Sequence, residues 1–248
     1  MAVTWSRIQA RWLAKPLVVS PHLDDAVLSC GLFLAAHPGT VVLTALAGIP
    51  PGLPINGWDE RCGFRPGDNS MAARREEDRA ALGLLGAEAR WLDFCQCSHL
   101  PPDNQVDVSA LTEAVGAVID EVEPSAVAFP FGLGHPDHEL THRATVALMA
   151  GRPEVAWYCY EDLPYRILPG VLAARINELL AAGIRPTPSP VPLDGSHDRK
   201  AAAFHAYTSQ AGPLDDDWGI DEMLAGAVGE GWWRLLADDG VTYTVEPG

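Results

Sequence analysis

The sequence is short of positive charge, and of lysine above all. Lys15 and Lys200 are the only lysines, and 17 Lys and Arg residues face 33 Asp and Glu residues, a formal net charge of −16. Neutralisation of phosphate charge supplies most of the affinity of proteins for nucleic acids, and basic clusters draw proteins to anionic lipid. We therefore expect no nucleic-acid partner and no anionic membrane partner.

Long apolar runs and a disulfide framework are also missing. No stretch of 18 apolar residues could form a membrane-spanning helix, and the N-terminal residues 1–7 lead into no secretory segment. The five cysteines are odd in number and irregularly spaced, which is typical of reduced thiols. The sequence thus predicts a cytoplasmic protein without a membrane span.

The chain does have a regular alternation of short β-branched runs and longer helical segments. This alternation is typical of a mainly parallel sheet covered by helices on both faces, a three-layer α/β fold. Strands are predicted at 17–19, 41–46, 89–94, 126–130 and 155–159, and helices at 26–36, 71–85, 109–121 and about 140–150.

The chain after Tyr160 is less regular. Its predicted elements are helices at 170–182 and 198–207, an extended edge segment at 184–192 and a final strand at 241–245. Neither an internal repeat nor a long Gly/Ser linker divides the chain. We therefore predict one domain over residues 1–248, with 160–248 as its irregular C-terminal portion.

Residues that can carry chemistry follow the first predicted strand. The run Ser20-Pro21-His22-Leu23-Asp24-Asp25 lies at the sheet edge where open α/β sheets bind ligands. His22 and Asp25 are three residues apart, so a tight turn could point both at one metal ion while Asp24 faces a water on that ion. In the alternative interpretation, Asp24 or Asp25 only caps the first helix.

A second group follows the fourth predicted strand. His135 and His138 flank Pro136 and Asp137 and fall on one face of a helical turn. Imidazole and carboxylate together suit zinc. Taken alone, the group slightly favours the alternative of a capped turn that carries surface histidines.

The metal-site interpretation is favoured when the two groups are considered together, because both follow strands of one sheet and can converge on one site. His22, Asp25 and one histidine of the second group would give two nitrogen ligands and one oxygen ligand. Three protein ligands leave a coordination position open for water, which is the arrangement of catalytic zinc.

These motifs resemble those of the LmbE-like, or PIG-L, family of zinc-dependent N-deacetylases. Further matches cover most of the chain: Leu43 to Gly48, the helix with Arg74, Glu77, Ala81, Leu85 and Gly86, the run Leu92-Asp93-Phe94, and Lys200 with Tyr207-Thr208-Ser209-Gln210. The chain departs from the family pattern at Leu23 and Ala26, where Pro and Glu are common. Neither position supplies a ligand or the base, so these departures bear on the residues that surround the ligands or on the substrate pocket.

The resemblance implies a Rossmann-like fold and removal of an acetyl or other acyl group from an N-acetylglucosamine-like sugar of a glycoconjugate or natural product. By resemblance His22, Asp25 and His138 bind zinc, and Asp24 is the general base. Protonated His135 stabilises the oxyanion, and either Asp24 or His135 supplies the proton that the leaving amine needs. The expected partner is therefore a small-molecule glycoside, and a homo-oligomer is compatible with the sequence.

The predicted substrate contacts are Arg74, Asp137 and Tyr165, although Arg74 could instead be a surface charge. The segments 47–70 and 160–196 are predicted to form the pocket walls, unless they only cover the sheet or build a subunit contact. Their aromatic and apolar residues include Trp58, Phe64, Leu163 and Tyr165.

Other functions remain open at this point. A metal-dependent hydratase of an unsaturated carboxylic acid would need cations for its substrate, for which the chain offers Arg61, Arg65, Arg74 and Arg166. A binding module without catalysis is disfavoured by the complete set of ligands, base and oxyanion partner. Cys95, Cys97 and His99 lack a second pair at zinc-finger spacing and are predicted to be loop residues.

Overall fold

A computed structural model of the protein describes residues 13–193, 196–225 and 229–237. Within these residues, seven strands form one sheet. The strands are β1 (Pro16–Ser20), β2 (Val41–Thr44), β3 (Glu88–Trp91), β4 (Ala126–Pro130), β5 (Ala156–Tyr160), β6 (Ile184–Pro188) and β7 (Trp232–Ala237).

Nine α-helices occur in the described part of the chain. They are α1 (Asp25–Ala36), α2 (Gly57–Arg61), α3 (Ser70–Leu85), α4 (Val108–Val122), α5 (Pro136–Val146), α6 (Val171–Ala181), α7 (His197–His205), α8 (Ala211–Trp218) and α9 (Ile220–Ala225). Side-chain caps fix several starts: Asn69 accepts from the backbone N–H of Ala72 at α3, and Asp107 accepts from that of Ala110 at α4.

The sheet has a switch point between β1 and β4. The strand order is β3-β2-β1-β4-β5-β7-β6, and β1 to β5 are mutually parallel. Val18 of β1 lies between Val42 of β2 and Ala128 of β4. In open α/β sheets a crevice forms beyond the carboxyl ends of strands where the order reverses. The loops after β1 and β4 therefore share one crevice.

Side chains of β1 alternate between two apolar layers. Val18 packs in the cluster that contains Leu28 of α1 and Phe204 of α7. Its neighbours Leu17 and Val19 pack in the opposite cluster, which contains apolar residues of α4 and α5. This alternation is the period of a strand buried on both faces, so the predicted three-layer α/β fold with a mainly parallel sheet is confirmed.

The structure corrects the start of one predicted helix and adds two elements that were not predicted. The helix expected at about 140–150 begins at Pro136, because His135 caps it and Pro136 suits its first turn. The loop 47–69 contains the short helix α2, which Asn56 and Asp59 stabilise with a reciprocal capping box. The C-terminal portion contributes β7, antiparallel to both β5 and β6.

Several smaller predictions also have outcomes. The extended segment at 184–192 does supply the edge strand β6. Trp157 is 3% exposed and belongs to the core, as predicted. The strand predicted at 241–245 lies outside the described residues. No described helix has the length and apolar character needed to cross a lipid bilayer.

Candidate active site and metal centre

The loop after β1 is held in a tight turn. Ser20 Oγ donates to the carbonyl of His22 at 2.8 Å and accepts from the backbone N–H of Ala26 at 3.1 Å. Asp25 begins α1, and its Oδ2 accepts from the backbone N–H of His22 at 2.9 Å. Asp24 has φ 148° and ψ −34°, a conformation that favours glycine. The chain thus carries backbone strain at the predicted base.

The second motif forms the start of α5. His135 is the N-cap residue, and its Nδ1 accepts from the backbone N–H of Asp137 at 3.1 Å. His138 follows within the first turn and is 1% exposed. Since β1 and β4 are neighbours, this turn faces the loop that carries His22 and Asp25.

Three predicted ligands meet in this crevice. Asp25 Oδ2 lies 3.2 Å from His22 Nδ1 and 3.2 Å from His138 Nε2. One donor atom from each of these three residues falls within 4.8 Å of the others. A second group, His22, His135 and Asp137, satisfies the same limit and shares His22. The described residues therefore offer two overlapping arrangements of donor atoms.

Carboxylates orient both histidines of the first arrangement. His22 Nε2 lies 2.9 Å from Asp137 Oδ2, which also accepts from the backbone N–H of Cys97. His138 Nδ1 lies 2.7 Å from Asp162 Oδ1, and Asp162 is fully buried. Metal-binding histidines usually donate their second N–H to a carboxylate or carbonyl, which fixes the ring. This pattern favours the set His22, Asp25 and His138.

Sequence reasoning missed Asp162. It follows β5 by two residues, so it lies at the same carboxyl edge of the sheet as both motifs. Its Oδ2 also accepts from the backbone N–H of Gly132 at 3.1 Å, which ties the loop after β4 to the end of β5. Its position after a strand was the available signal, but a lone aspartate carries no motif.

The electrostatics of the cluster favour positive charge. Burial lowers the pKa of His22, but its hydrogen bonds to Asp137 and Asp25 outweigh this and raise the pKa to about 10. Burial also lowers the pKa of His138, and Asp25 with Asp162 raises it to about 9. Burial raises the pKa of Asp25, yet His138 and His22 hold it well below its usual range. A divalent cation would satisfy the same carboxylates in place of the histidine protons.

Asp24 and His135 face the same cavity with shifted pKa values. Burial, and then the charge of Asp25, raises the pKa of Asp24 above its usual value. Burial, and then His22 and His138, lowers the pKa of His135 to about 4. Because Nδ1 of His135 accepts a backbone hydrogen bond, its neutral ring carries the proton on Nε2. A neutral His135 ring would therefore offer Nε2–H as a hydrogen-bond donor.

A cavity of about 300 Å³ opens over these residues. This size is within the range of small-molecule sites. The lining residues are His22, Asp24, Asp25, Leu28, Trp58, Gln96, Ser98, His135, Asp137, Pro164, Tyr165, Gln210, Leu214, Asp217 and Trp218. Segments 47–70 and 160–196 thus both line the cavity, through Trp58 and through Pro164 and Tyr165. The contribution of α8 was not foreseen.

Tyr165 stands beside the ligand cluster. Its ring centroid lies 5.0 Å from that of His138, with the rings nearly perpendicular, and 6.2 Å from that of His135. Gly134 has φ +67°, and a Cβ there would lie 2.6 Å from the Tyr165 ring. The glycine therefore permits this close approach. The predicted residues Phe64 and Leu163 do not line the cavity in the described structure.

Arg74, a predicted substrate contact, lies in a buried ion pair. It is fully buried, so its interpretation as a surface charge is wrong. Its Nη1 lies 2.8 Å from Asp59 Oδ1, and His99 Nε2 lies 2.8 Å from the other oxygen of Asp59. Arg74 is not among the cavity-lining residues. It pairs with Asp59 of α2, and its positive charge opposes the rise in the pKa of Asp24.

Comparisons with known proteins show which family and which proteins the chain is similar to. The family model of GlcNAc-PI de-N-acetylase, PIG-L, matches residues 17–149. A 2'-N-acetylparomamine deacetylase of Streptomyces fradiae is 31% identical over 226 residues, which cover 85% of this chain and 77% of that protein. A 1D-myo-inositol 2-acetamido-2-deoxy-alpha-D-glucopyranoside deacetylase of Mycolicibacterium gilvum (strain PYR-GCK) is 27% identical over 233 residues, which cover 78% of this chain and 80% of that protein.

The fold is similar to that of a solved deacetylase. The crystal structure of the zinc inhibited form of teicoplanin deacetylase Orf2 matches with a TM-score of 0.75 and 26% identity, over 92% of this chain and 100% of that one. Fold and relatives together define an α/β deacetylase. The chain belongs to the PIG-L, or LmbE-like, family, as its motifs predicted.

Proposed function

We propose that this protein is a zinc-dependent deacetylase that removes the acetyl group from an N-acetylglucosamine-like sugar of a glycoconjugate or natural product. The relatives support the sugar class, because their names specify acetylated amino sugars. The observation that carries the proposal is the cluster of His22, Asp25 and His138. His22 and Asp25 line one cavity together with Asp24.

The donor set fits zinc. Two imidazole nitrogens and one carboxylate oxygen, each histidine held by a further carboxylate, match the ligands of catalytic zinc sites. A bound divalent ion supplies Lewis acidity, which polarises an amide carbonyl and makes water more acidic. We assign His22, Asp25 and His138 as its ligands.

Asp24 is assigned as the base that takes the proton of the attacking water. It lies between two proposed ligands in sequence and lines the cavity. Its raised pKa makes the carboxylate a better proton acceptor than an exposed aspartate. After accepting the water proton, Asp24 holds the proton that the leaving amine requires.

His135 is assigned as a neutral hydrogen-bond donor to the carbonyl oxygen as negative charge develops there. The backbone hydrogen bond to Nδ1 leaves Nε2–H as the donor atom of the neutral ring. A fixed donor of this kind costs little reorganisation during the reaction. This assignment leaves Asp24, and not His135, to protonate the amine.

Tyr165 and Asp137 are proposed substrate contacts of different kinds. Tyr165 offers a ring edge or face beside the histidines. Asp137 lines the cavity, but its Oδ2 is engaged by His22 and Cys97. Its main role is therefore to orient His22. Arg74 acts on the cavity through its ion pair with Asp59 of α2 and through its charge, which opposes the rise in the pKa of Asp24.

The charge of the cavity disfavours the hydratase alternative. Asp24, Asp25, Asp137 and Asp217 line it, and no described lysine or arginine does. Of the arginines considered for a carboxylate substrate, Arg61 pairs with Asp217 and Arg166 pairs with Glu161. A neutral or cationic sugar suits this lining better than an organic acid.

Acetate release tests the proposed function. Zinc-loaded protein is incubated with N-acetylglucosamine, its methyl glycoside, N-acetylparomamine and an unsaturated dicarboxylic acid. We expect acetate from the amino sugars, abolished by a chelator and restored by zinc, and no hydration of the acid. Hydration of the acid without acetate release would contradict the proposal, and acetate release that chelation does not change would contradict its zinc dependence.

A further inference from the structure

The cavity has an aromatic outer part that the deacetylation chemistry does not use. Trp58 of α2 and Trp218 of α8 both line it, and both are half-buried. Asp217 lines the same part and its side chain is 39% exposed, whereas that of Asp25 is 7% exposed. The cavity therefore opens to solvent on the side of Asp217 and the two tryptophans. We name Trp58, Tyr165 and Trp218 the aromatic rim.

The rim is continuous with the ligand cluster. Tyr165 packs edge-to-face on Trp218, with ring centroids 5.6 Å apart and planes at 79°. The same tyrosine ring lies 5.0 Å from His138 on its other side. The Tyr165 ring thus lies between Trp218 and the proposed metal ligand His138. A group attached to a sugar whose acetamide reaches the metal would come to lie at the distance of Trp218.

An ion pair joins the two helices that carry the tryptophans. Arg61 donates two hydrogen bonds to Asp217, each 2.8 Å long. The Arg61 guanidinium also lies 5.4 Å from the centroid of the Trp58 ring. Asp217 is the neighbour of Trp218 in sequence. The pair therefore links the two helices that carry the tryptophans, α2 and α8.

A buried network anchors the other side of α2. Asp59 follows Trp58 in sequence, and its two carboxylate oxygens face Arg74 and His99 at 2.8 Å each. All three side chains are at most 1% exposed. The residue after Trp58 is thus anchored by this buried network. The Trp58 ring itself lies beside Arg61, which is paired with Asp217 of α8. Such support is expected for a wall with a fixed shape and is unnecessary for an exposed covering loop.

The chemistry of this region defines its ligand. Aromatic faces bind flat or apolar ring faces, and the carboxylates along the cavity repel negative charge. We propose that the aromatic rim is a specificity subsite for a second ring, uncharged or cationic, joined to the N-acetylated sugar, and that the Arg61–Asp217 pair positions its walls. This inference rests on the proposed function, since it takes the sugar to lie at the ligand cluster.

Two matched glycosides test the subsite. The methyl and phenyl β-glycosides of N-acetylglucosamine differ only in the presence of a second ring. We expect the native protein to favour the phenyl glycoside in kcat/KM. Trp58→Leu and Trp218→Leu should each reduce this preference about three- to tenfold, because KM should rise more for the phenyl glycoside than for the methyl glycoside. Trp233→Leu is the control, because Trp233 is half-buried but lines no part of this cavity.

A charge swap tests the positioning role of the ion pair. Arg61→Asp alone and Asp217→Arg alone should lower the phenyl preference, because like charges then face each other. The double variant restores opposite charges and should recover most of the preference. Equal loss in the singles and the double would contradict positioning by the pair.

Binding separates this inference from the proposed function. Saturation-transfer difference NMR with Asp24→Asn detects bound glycoside without turnover. We expect strong saturation of the phenyl protons, lost in variants that also carry Trp58→Leu or Trp218→Leu. Absence of acetate release would overturn the proposed function, whereas weak phenyl saturation, or tryptophan variants that affect both glycosides equally, would overturn the subsite.

Discussion

Asp24 combines strain and chemistry in one residue. Its φ of 148° is one that residues with a Cβ rarely adopt, and it stands between the two proposed ligands of the first motif. This backbone conformation allows His22 and Asp25 to converge while Asp24 still lines the cavity. Residues strained in this way concentrate at active sites, where the surrounding structure holds them in place.

The strain predicts an unusual stability effect. Asp24→Gly should be more stable than Asp24→Ala by about 1–3 kcal/mol, because glycine adopts this conformation without strain. Both variants should lack activity. Calorimetric unfolding of the two proteins at equal zinc occupancy measures the difference, and equal stabilities would show that the backbone at Asp24 is unstrained.

The tautomer of His135 makes a second prediction. His135→Ala removes the proposed donor and should lower kcat about 10²–10³-fold. His135→Gln places an amide N–H near the position of Nε2 and should recover part of this loss, while zinc content stays unchanged. Steady-state kinetics with elemental analysis decides the matter. If glutamine were no better than alanine, a hydrogen-bond donor would not be the role of His135.

Much of the site could be predicted residue by residue. His22, Asp24, Asp25, His135 and His138 lie in two short motifs, and each motif directly follows a strand. Asp162 could not be predicted to support the site, because it acts alone from a distant segment. Gln210 lies in a run that matches the family, but the run does not reveal what Gln210 contacts. Gln210 donates to the carbonyl of Leu23 at 2.8 Å across 187 residues of sequence. No local pattern encodes such a contact.

At the scale of elements, apolar periodicity predicted the core helices and the parallel strands. Periodicity failed where capping residues determine the start of a helix, or where a strand depends on partner strands far away in sequence. Helix α5 begins early because His135 and Pro136 favour its first turn, although its apolar period starts only later. Strand β7 pairs with β5 and β6, so its formation depends on partners far along the chain. Helix α2 is too short to show a period.

The anchor of α2 is testable as an element. Asp59→Ala leaves the buried Arg74 without its carboxylate partner, which should cost about 3–5 kcal/mol of unfolding free energy. Asp59→Ala combined with Arg74→Met should be markedly more stable than Asp59→Ala alone. The exposed pair Arg90–Glu121 provides the control, since Glu121→Ala should change stability little. Denaturant unfolding that gave the same loss for both single variants would contradict the anchor.

At the scale of the whole molecule, a buried carboxylate joins three segments. Asp78 of α3 accepts from Trp91 Nε1 of β3 at 2.8 Å and from Tyr207 Oη, just beyond α7, at 2.7 Å. Burial raises the pKa of Asp78 from 3.8 to about 6, although both hydrogen bonds oppose the shift. The folded protein therefore binds this proton more tightly than the unfolded chain does.

This shift predicts a pH dependence of stability. The contribution of Asp78 is most favourable below about pH 4 and is lost as the pH rises through 6. Asp78→Asn stays neutral, so its unfolding free energy relative to the native protein should rise by up to about 3 kcal/mol between pH 4 and pH 7. Denaturant unfolding of both proteins at several pH values measures this difference. A difference independent of pH would show that Asp78 titrates normally.

The central claim assigns two adjacent aspartates to different tasks, and paired measurements on Asp24→Asn and Asp25→Asn test it most directly. Zinc content after dialysis and acetate release from the methyl glycoside of N-acetylglucosamine are determined on the same samples. We predict that Asp24→Asn retains zinc and loses about 10²–10⁴-fold in kcat, because the amide cannot accept a proton. Asp25→Asn should lose zinc, and its activity should recover in part at high zinc concentration. Equal zinc loss and equal residual activity in the two variants would contradict the account.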